Sequence, residues 1–469
     1  MRHFLLILFS LLIFTNCQSK KTHQCPFNFN NHNPNDQCGF VEVPRNRANN
    51  SKETTQLSYL LIKSQSKNRK ADPVVFIQGG PGGDVLKLAD IYSQLSIDSD
   101  RDFILYDQRG IGFSEELCPN INQKLIEILA KDLNVESEIK ELHEALKSCK
   151  KFIKNDSRQF STTTNVEDLE ALREHLGYKQ LNLFGGSYGT RLGVKYMELY
   201  PNKVRSAILS SLFPPEIRMY DHLFSNFENA LNKVFTACEN DFSCNSNYPN
   251  LKSDFTSIYN KIKTEPIVLK IGNSNFTLNQ QDVLLFLHQM LYSDKTISKI
   301  PEFIKALKLN DKKNISRTIN TFVPRITTIN LAVYYAVMTA DEGNFDNKSM
   351  LKNDSKNLLF SSDGLSLFSA DPEIIESWPT QKTTANNMGI ITSEIPTLLI
   401  SGDFDPVTPV SNGNQVQKSL KNSQHLVFKN NGHVPINDCF FNLAKTFLNN
   451  PMEKLDGNCS KTSTLFNWD

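Results

Sequence analysis

LNLFGGSYG, residues 181–189, is the stretch of this chain that decides its fold. Its apolar start predicts a short buried strand, and residues 192–200 predict a helix directly after it. The glycines between strand and helix permit a sharp backbone turn. In a Gly-x-Ser-x-Gly pattern, such a turn leaves the serine hydroxyl exposed above the edge of a sheet. We therefore predict that Ser187 is a nucleophile at the carboxyl end of a parallel strand.

Similar short apolar runs on both sides of this stretch predict its neighbouring strands. They are residues 40–44, 57–62, 72–77 and 102–106 before it, and 204–212, 396–400 and 426–428 after it. Helical periodicity at residues 166–176 places Asn165 and Asp168 in the first turn of an intervening helix. Strands that alternate with helices pair in parallel through right-handed crossovers, with helices on both faces. The predicted fold class is α/β, with a doubly wound, mostly parallel sheet.

The alternation of strands and helices is interrupted in the second half of the chain. It stops at the Pro-Pro pair of residues 214–215 and returns only at residue 396, and the residues between carry mostly helical periodicity. A stretch of this length is too long to be a loop, so we interpret it as an inserted helical cap. The predicted parts are a polar tail or linker at 18–37, a first core part at 38–213, the cap at 214–394, and a second core part with a C-terminal extension at 395–469.

Two loops in the core supply the partners that a serine nucleophile needs. A serine hydroxyl reacts when a base takes its proton, and a carboxylate must hold that base in the right tautomer. His433 lies in the Gly-containing loop after the last predicted strand, whereas His425 lies at the opposite end of that strand. The strand before it ends in a loop with two acids, Asp403 and Asp405. We assign His433 as the base and Asp405, which lies deeper in the loop, as the acid, with Asp403 as the alternative.

A glycine-rich loop, QGGPGG at residues 78–83, follows the strand at residues 72–77. Acyl transfer needs two N–H donors for its oxyanion, normally the residue after the nucleophile and one on the loop after the third strand. We assign Tyr188 and Gly80 to these positions, with Gly79 and Gly82 as alternatives to Gly80. A phosphate-binding loop would end in Gly-Lys-Ser/Thr, which this run lacks.

The N-terminus predicts export. Residues 4–14 form an apolar run behind a basic start, and the run is too short to span a bilayer. We interpret residues 1–17 as a signal peptide that ends in a lipoprotein-like cleavage box at Cys17. A lipidated Cys17 would anchor the protein to a membrane of the bacterial cell envelope, and a plain secretory signal cut a few residues later is the alternative.

Eight cysteines follow Cys17, and an even number downstream of an export signal suggests disulfides. Because short loops are the easiest to close, we predict that neighbours pair. The predicted pairs are Cys25 with Cys38, Cys118 with Cys149, Cys238 with Cys244, and Cys439 with Cys459. A metal site is the competing interpretation, but the chain has no CxxC pair and no Cys/His cluster with ligand spacing. We predict no metal and no cofactor.

The composition of the chain gives little indication of its partners. The 51 Lys and Arg balance 50 Asp and Glu, so the net charge attracts neither nucleic acid nor anionic lipid. A length of 469 residues with 39% hydrophobic content is sufficient for one large core with an insertion. We expect no nucleic-acid partner, and any other partner must be argued from a site.

Three sequence blocks of the predicted core carry a family resemblance. They are QGGPG at residues 78–82, DQRGIGFS at residues 107–114 and GGSYG at residues 185–189. They resemble the His-Gly-Gly-Pro-Gly loop, the Asp-Gln-Arg-Gly-x-Gly-x-Ser block and the Gly-Gly-Ser-Tyr-Gly elbow of the proline iminopeptidase and tripeptidyl aminopeptidase group of α/β-hydrolases. The acid loop at residues 402–409 and the base loop at residues 432–433 are similar too. The C-terminal segment with Cys439 and Cys459 resembles the tripeptidyl branch.

The resemblance implies a serine aminopeptidase that acts on peptides with a free N-terminus through an acyl-enzyme on Ser187. Such an enzyme needs an anion that faces the substrate ammonium. Asp341 and Glu342 lie where members of the group carry an acidic pair, and a solvated helix end is the alternative for them. Gln78 departs from the group's histidine, which alters hydrogen bonds beneath the loop without removing its N–H donors. An ester hydrolase on the same triad and a non-catalytic surface binding protein remain the competing functions.

Overall fold

In the computed structural model, the described residues are 25, 27–31, 33–47, 52–154, 159–271, 274–326, 328–360, 372–380, 382, 389–461 and 466–468. The predicted signal peptide and Cys17 lie outside these residues.

The described residues form ten strands. They are β1 (Gln37–Pro44), β2 (Thr54–Ile62), β3 (Val74–Ile77), β4 (Phe103–Tyr106), β5 (Leu181–Gly186), β6 (Val204–Ser210), β7 (Ile267–Ile271), β8 (Ser274–Leu278), β9 (Thr397–Gly402) and β10 (Ser423–Phe428). Eight of them make one sheet in the order β1-β2-β4-β3-β5-β6-β9-β10. β1, β2 and β4 pair antiparallel, and all pairs from β4 to β10 are parallel. The predicted α/β fold class with a mostly parallel sheet is confirmed.

Helices fill the chain between the strands. They are α1 (Ala89–Tyr92), α2 (Ile121–Leu129), α3 (Val135–Lys154), α4 (Thr162–His175), α5 (Tyr188–Leu199), α6 (Leu223–Asn240), α7 (Phe242–Asn247), α8 (Leu251–Ile262), α9 (Gln280–Met290), α10 (Asp294–Ile297), α11 (Ile300–Lys308), α12 (Lys312–Ile326), α13 (Leu331–Glu342), α14 (Asn347–Asp354), α15 (Pro372–Ser377), α16 (Val410–Ser419), α17 (Asp438–Asn449) and α18 (Asn458–Lys461).

The sheet is buried on both faces, and the sequence of β3 shows why. Its four residues are all apolar and all buried. Val75 and Ile77 belong to one apolar cluster, whereas Val74 and Phe76 belong to a second cluster. Because successive side chains of a strand point to opposite faces, an apolar run without alternation is what a strand covered by helices on both faces requires.

Helix α4 begins earlier than the periodicity predicts. Its N-cap is Ser161, whose side chain accepts a hydrogen bond from the Thr164 N–H, so Asn165 and Asp168 lie within the helix rather than at its first turn. The Asp168 carboxylate is instead bound by the buried Arg109 guanidinium through two hydrogen bonds of 2.7 Å. A buried guanidinium needs a carboxylate partner, so the Asp168 side chain binds Arg109 and does not cap the helix.

The inserted region between β6 and β9 is mainly helical among its described residues, as predicted, and it also contains one hairpin that the periodicity did not indicate. Strands β7 and β8 form an antiparallel hairpin within it. In β7, Ile267 and Leu269 are buried while Val268 is 49% exposed, a period of two that is typical of a half-buried strand. The boundaries proposed for the cap and for the two core parts stay predictions.

The four predicted disulfides are present. They join Cys25 to Cys38, Cys118 to Cys149, Cys238 to Cys244, and Cys439 to Cys459. The first ties the predicted tail to β1, and the last ties α17 to α18. Disulfides persist in oxidising compartments, so these four indicate an exported protein.

Within the part of the chain that is described, none of the helices combines the length and the apolar character needed to cross a bilayer.

Candidate active site

Ser187 lies at a strained turn between β5 and α5. Its backbone has φ 54° and ψ −126°, a conformation that costs energy for a residue with a side chain. A Cβ added at Gly185 would lie 2.6 Å from the carbonyl oxygen of Gly189, and one added at Gly189 would overlap the carbonyl oxygen of Ile77. The predicted elbow is therefore built as its glycines require, with Ser187 at its apex.

His433 and Asp405 are in direct contact. Asp405 follows β9, and His433 lies in the loop after β10. The His433 Nδ1 lies 2.9 Å from Oδ2 and 3.0 Å from Oδ1 of Asp405. This contact places the imidazole proton on Nδ1 and leaves Nε2 as a base.

The Asp405 carboxylate is buried and surrounded by hydrogen-bond donors. The backbone N–H groups of Val407 and Thr408 donate to Oδ1, each at 2.8 Å. The hydroxyls of Thr408 and Ser211 donate to Oδ2, each at 2.8 Å. Burial alone would raise the pKa of Asp405, but the His433 charge and these hydrogen bonds outweigh burial and hold the pKa below its usual value. The group therefore stays ionised beside the imidazole.

Ser211 is a residue of this site that sequence reasoning missed. Besides donating to Asp405, its hydroxyl accepts a 2.7 Å hydrogen bond from the N–H of Val434, the residue after His433. It connects the acid loop to the base loop. The signal that could have identified it is its position directly after β6, at the carboxyl edge of the sheet where β5, β9 and β10 also end.

The two alternatives to this pair lie elsewhere. Asp403 has its carboxylate 3.6 Å from the Lys429 ammonium, and burial raises its pKa. His425 pairs its Nε2 with the Ser401 hydroxyl at 3.0 Å. Within the described residues, neither side chain is hydrogen-bonded to His433 or Asp405, so Asp405 is the acid that the base contacts.

Ser187 and His433 line one cavity, but among the described residues no hydrogen bond joins the Ser187 hydroxyl to the imidazole. Catalytic hydrogen bonds are often long or poorly aligned before a substrate binds. Within its described residues, the structure thus forms the Asp405–His433 half of the predicted triad and places the serine at the same cavity without a hydrogen bond to His433.

The glycine-rich loop lies against the nucleophile. A Cβ at Gly79 would lie 2.9 Å from the Cβ of Ser187. The Gly79 N–H donates to the Oε1 of Gln78 at 3.0 Å, whereas the Gly80 N–H has no acceptor within the described part of the chain. Tyr188 is the first residue of α5, where a backbone N–H has no partner inside the helix. Gly80 and Tyr188 remain the predicted oxyanion donors.

Gln78, which stands where the resembling group has histidine, organises the base of this loop. Its Oε1 accepts from Gly79, and its Nε2 contacts the hydroxyl of Tyr92. Its carbonyl oxygen accepts a 3.0 Å hydrogen bond from the Gln108 side chain. The side-chain amide of Gln78 therefore supports the loop itself, and the backbone carbonyl of Gln78 connects the loop to the DQRGIGFS block.

Asp107 of that block supports the same loop from below. Its carboxylate accepts hydrogen bonds from the N–H groups of Val85 and Leu86 at 3.0 Å and of Phe113 at 2.9 Å. Burial raises the pKa of Asp107 to about 7. The negative charge of the nearby Asp84 also raises this pKa, whereas the three hydrogen bonds lower it. Asp107 is thus a structural acid that holds the loops behind the site.

The cavity in front of Ser187 has a volume of about 770 Å³. Its floor comes from residues 78–80 and 431–434 of the core, and its roof comes from residues 288–294 and 328–335 of the inserted region. Several aromatic side chains contribute to the wall, and the Tyr292 ring lies 4.8 Å from the His433 ring. A cavity of this size accepts a ligand of a few residues.

Asp341 and Glu342 do not line the described wall of this cavity, and their predicted role toward the substrate ammonium is corrected here. Glu342 is fully buried, pairs with the Arg191 guanidinium at 2.8 Å and accepts from the Met219 N–H at 3.0 Å. Asp341 is buried and accepts from the N–H and hydroxyl of Thr162. Burial raises the pKa of both acids. Their hydrogen-bonding capacity is used inside the protein, so they are not a solvated helix end either.

Two charged side chains on the wall of this cavity were not predicted from the sequence. Asp294, at the start of α10, and Arg325, near the end of α12, are the carboxylate and the guanidinium of the described cavity wall. The Asp294 carboxylate accepts from the Ser293 hydroxyl at 3.2 Å and has no ion pair among the described residues. Both lie in the inserted region, where no sequence motif marks them.

Comparisons with known proteins agree with this architecture. A family profile described as alpha/beta hydrolase fold matches residues 72–250, and one described as TAP-like protein matches residues 370–459. The chain is 27% identical to tripeptidyl aminopeptidase of Streptomyces coelicolor over 191 residues, which cover 38% of this chain and 35% of that protein. It is 30% identical to proline iminopeptidase of Lactobacillus helveticus over 140 residues, covering 30% and 35%. It is 25% identical to serine protease Hip1 of Mycobacterium tuberculosis over 221 residues, covering 44% and 42%.

These alignments span about a third to two-fifths of each relative's length. They fall on a chain whose sheet order, strained serine elbow and acid–base pair have the arrangement that hydrolases of this fold use. The chain therefore has the α/β-hydrolase fold, and the relatives to which it is similar are named for aminopeptidase and protease activity.

Proposed function

We propose that this protein is a serine exopeptidase that releases N-terminal amino acids or short peptides from peptides with a free N-terminus. The observation that carries the proposal is the buried Asp405–His433 pair on the same cavity as the strained Ser187. The inserted residues over that cavity favour a chain end over the middle of a long chain, because they cover part of the path that an uninterrupted polypeptide would have to take. The peptidase names of the relatives support the same choice.

The proposed chemistry is acyl transfer in two steps. The Ser187 hydroxyl attacks the scissile carbonyl carbon while the His433 Nε2 takes its proton, and Asp405 stabilises the imidazolium. The N–H groups of Gly80 and Tyr188 hold the oxyanion. His433 then gives the proton to the leaving amine as the C–N bond breaks, which leaves an acyl-enzyme. A water molecule attacks the ester, His433 takes its proton and returns it to Ser187, and the carboxylic acid product leaves.

An anion must face the ammonium of the substrate, and we propose Asp294 for this role in place of Asp341 and Glu342. Asp294 is half-buried on the cavity wall and has no cationic partner in the described part of the chain. Its segment lies beside the base loop, since a Cβ at Gly432 would overlap the carbonyl oxygen of Leu291. An ammonium at this position would be a fixed distance from Ser187, as an exopeptidase requires.

A substrate panel tests the proposed function. Aminoacyl and peptidyl amides, each with a free or an acetylated N-terminus, are compared with short acyl esters on the wild type and on Ser187→Ala. We expect hydrolysis of amides with a free N-terminus and none by the alanine variant. Turnover of esters alone, with no effect of the N-terminal block, would show that the protein is an ester hydrolase instead.

The same panel tests Asp294. We expect Asp294→Asn to raise KM roughly tenfold or more for substrates with a free N-terminus and to leave acetylated ones little affected, because a hydrogen-bonded ion pair contributes about 1.5–3 kcal/mol. Asp254→Asn is the matched control. The Asp254 carboxylate lies 2.7 Å from the Lys308 ammonium, and neither residue lines the cavity. Equal effects of the two variants would remove Asp294 from the site.

We also propose that the protein is a lipoprotein of the bacterial cell envelope, anchored through Cys17. The four disulfides support export, and the sequence around Cys17 supports lipidation. Metabolic labelling with a fatty-acid analogue in a bacterial host should mark the wild type and not Cys17→Ser. Equal labelling of both, or of neither, would contradict the anchor.

A further inference from the structure

Arg325 is a cation on the cavity wall that no carboxylate neutralises within the described residues. It lies on α12 of the inserted region, and its guanidinium makes neither an ion pair nor a hydrogen bond there. The core arginines behave differently, since Arg109 pairs with Asp168 and Arg191 pairs with Glu342. Arginines that serve the fold of this protein have acids beside them, and Arg325 does not.

The guanidinium of Arg325 is nevertheless held in place. Its Cζ lies 3.9 Å over the Tyr292 ring, and that ring lies 4.8 Å from the His433 ring. Stacking on an aromatic face fixes the plane of a guanidinium and leaves its N–H edge free. The Arg325 side chain is exposed on the cavity wall, and the protein atoms near its guanidinium partly desolvate it, which lowers its pKa from the usual value. A charge in such a place is stabilised by an anion that arrives with the ligand.

We propose that Arg325 binds a carboxylate of the substrate, so that this enzyme prefers acidic or short free-acid peptides. This proposal rests on the proposed function and adds to it a second site of substrate recognition, which binds a carboxylate. A planar guanidinium matches a carboxylate through two parallel N–H to oxygen bonds. The carboxylate has two sources, the C-terminus of a short peptide or the side chain of an Asp or Glu residue near the scissile bond.

Two matched substrate pairs distinguish these sources. The first pair is trialanine as free acid and as amide, and the second is Ala-Glu-Ala-amide and Ala-Gln-Ala-amide. We expect wild-type kcat/KM to favour the acidic member of at least one pair by roughly ten- to hundredfold, as hydrogen bonds between charged groups allow. The pair that shows the preference identifies the source. Equal cleavage of both members in both pairs would overturn the role of Arg325 while leaving the peptidase function standing.

Variants connect the preference to the residue. In Arg325→Met, we expect the ratio of kcat/KM for the acidic substrate to kcat/KM for the neutral one to fall to about one, mostly because KM for the acidic substrate rises. In Arg325→Lys, we expect an intermediate ratio, because the positive charge remains while the two parallel N–H donors of the guanidinium are lost. Arg317→Met is the matched control, since Arg317 lies on the same helix, pairs with Glu302 at 3.1 Å and is not on this cavity wall. A preference that survives in Arg325→Met would overturn the proposal. Fluorophosphonate labelling of Ser187 at the wild-type rate shows that each variant is folded.

An ester pair keeps the test independent of the peptidase claim. If no peptide is hydrolysed, the 4-nitrophenyl monoester of succinic acid is compared with 4-nitrophenyl butanoate. A preference for the acidic ester that is lost in Arg325→Met would retain the carboxylate site and reject the peptidase. No preference in the wild type would reject the carboxylate site as well.

Discussion

At the scale of single residues, the site depends on an acid that is buried and still ionised. Asp405 accepts hydrogen bonds from two backbone N–H groups and from the hydroxyls of Thr408 and Ser211, and it contacts His433. These donors offset the loss of water around the carboxylate. The base can then keep its proton on Nδ1 and accept another on Nε2.

The first residue-scale prediction concerns the identity of the acid. Asp405→Asn should lower kcat/KM by roughly 10³- to 10⁴-fold, because an amide does not hold the imidazole in the required tautomer. Asp403→Asn is the matched control and should change kcat/KM only a few fold, since Asp403 lies beside Lys429 and not beside His433. A large loss in the control with a small loss in Asp405→Asn would reverse the assignment.

The second prediction follows from the pKa of Asp405, which is lower in the folded protein than its usual value of 3.8. At acid pH the unfolded chain binds more protons at this group than the folded chain, so folding stability rises with pH there. The contribution is fully present above pH 4 and is lost as the pH falls through the lower folded pKa. Urea unfolding at pH 6 and pH 3 should therefore show a larger loss of stability for the wild type than for Asp405→Asn. Equal losses would show that the folded pKa is not lowered.

Sequence reasoning identified the catalytic residues that follow predicted strands, but it missed Ser211, which lies inside the predicted strand 204–212, and the charged residues of the inserted region. Ser187, Asp405 and His433 each lie just beyond a strand of an α/β sheet, where catalytic residues of this fold converge. Asp294 and Arg325 reach the cavity from helices of the inserted region, and no general rule places functional residues on such helices. Asp341 and Glu342 were wrongly placed, because a one-dimensional pattern does not show that Arg191 and Thr162 already bind them.

At the scale of elements, apolar runs sufficed to predict the strands of the sheet but not the hairpin of the inserted region or the start of helix α4. The strand β3 is apolar throughout and all residues of β5 are buried because helices cover both faces, and the apolar run of β3 is visible in the sequence. The hairpin of β7 and β8 has only five residues in each strand, which is too short to stand out within helical surroundings. Helix α4 begins at a cap that its apolar periodicity does not include.

The element-scale prediction concerns the disulfides. Closing a loop lowers the entropy of the unfolded chain, and the effect grows with loop length. Cys118 and Cys149 are 31 residues apart, whereas Cys238 and Cys244 are 6 apart. Replacing the first pair with serines should lower the free energy of unfolding by about 4 kcal/mol, and replacing the second by about 2 kcal/mol. Denaturant unfolding of the two double variants measures the order, and a larger loss for the short loop would contradict the entropic explanation.

At the scale of the whole molecule, the reaction needs residues from distant segments to meet at one cavity. The core supplies Ser187 and the Asp405–His433 pair, and the inserted region supplies the roof with Tyr292, Asp294 and Arg325. On the proposed function, the core carries the chemistry and the insertion selects what enters, a division common to folds that host many reactions. This division explains why the sequence predicts the class of reaction better than the substrate.

The most direct test of the central claim is the rate and position of fluorophosphonate modification, followed by mass spectrometry of the whole protein and its peptides. We predict one modification on the peptide that contains Ser187, none in Ser187→Ala, and a strongly slowed reaction in His433→Ala, because His433 takes the proton of the attacking hydroxyl. A wild-type protein that stays unmodified, is modified at another residue, or reacts equally fast without His433 would contradict the account.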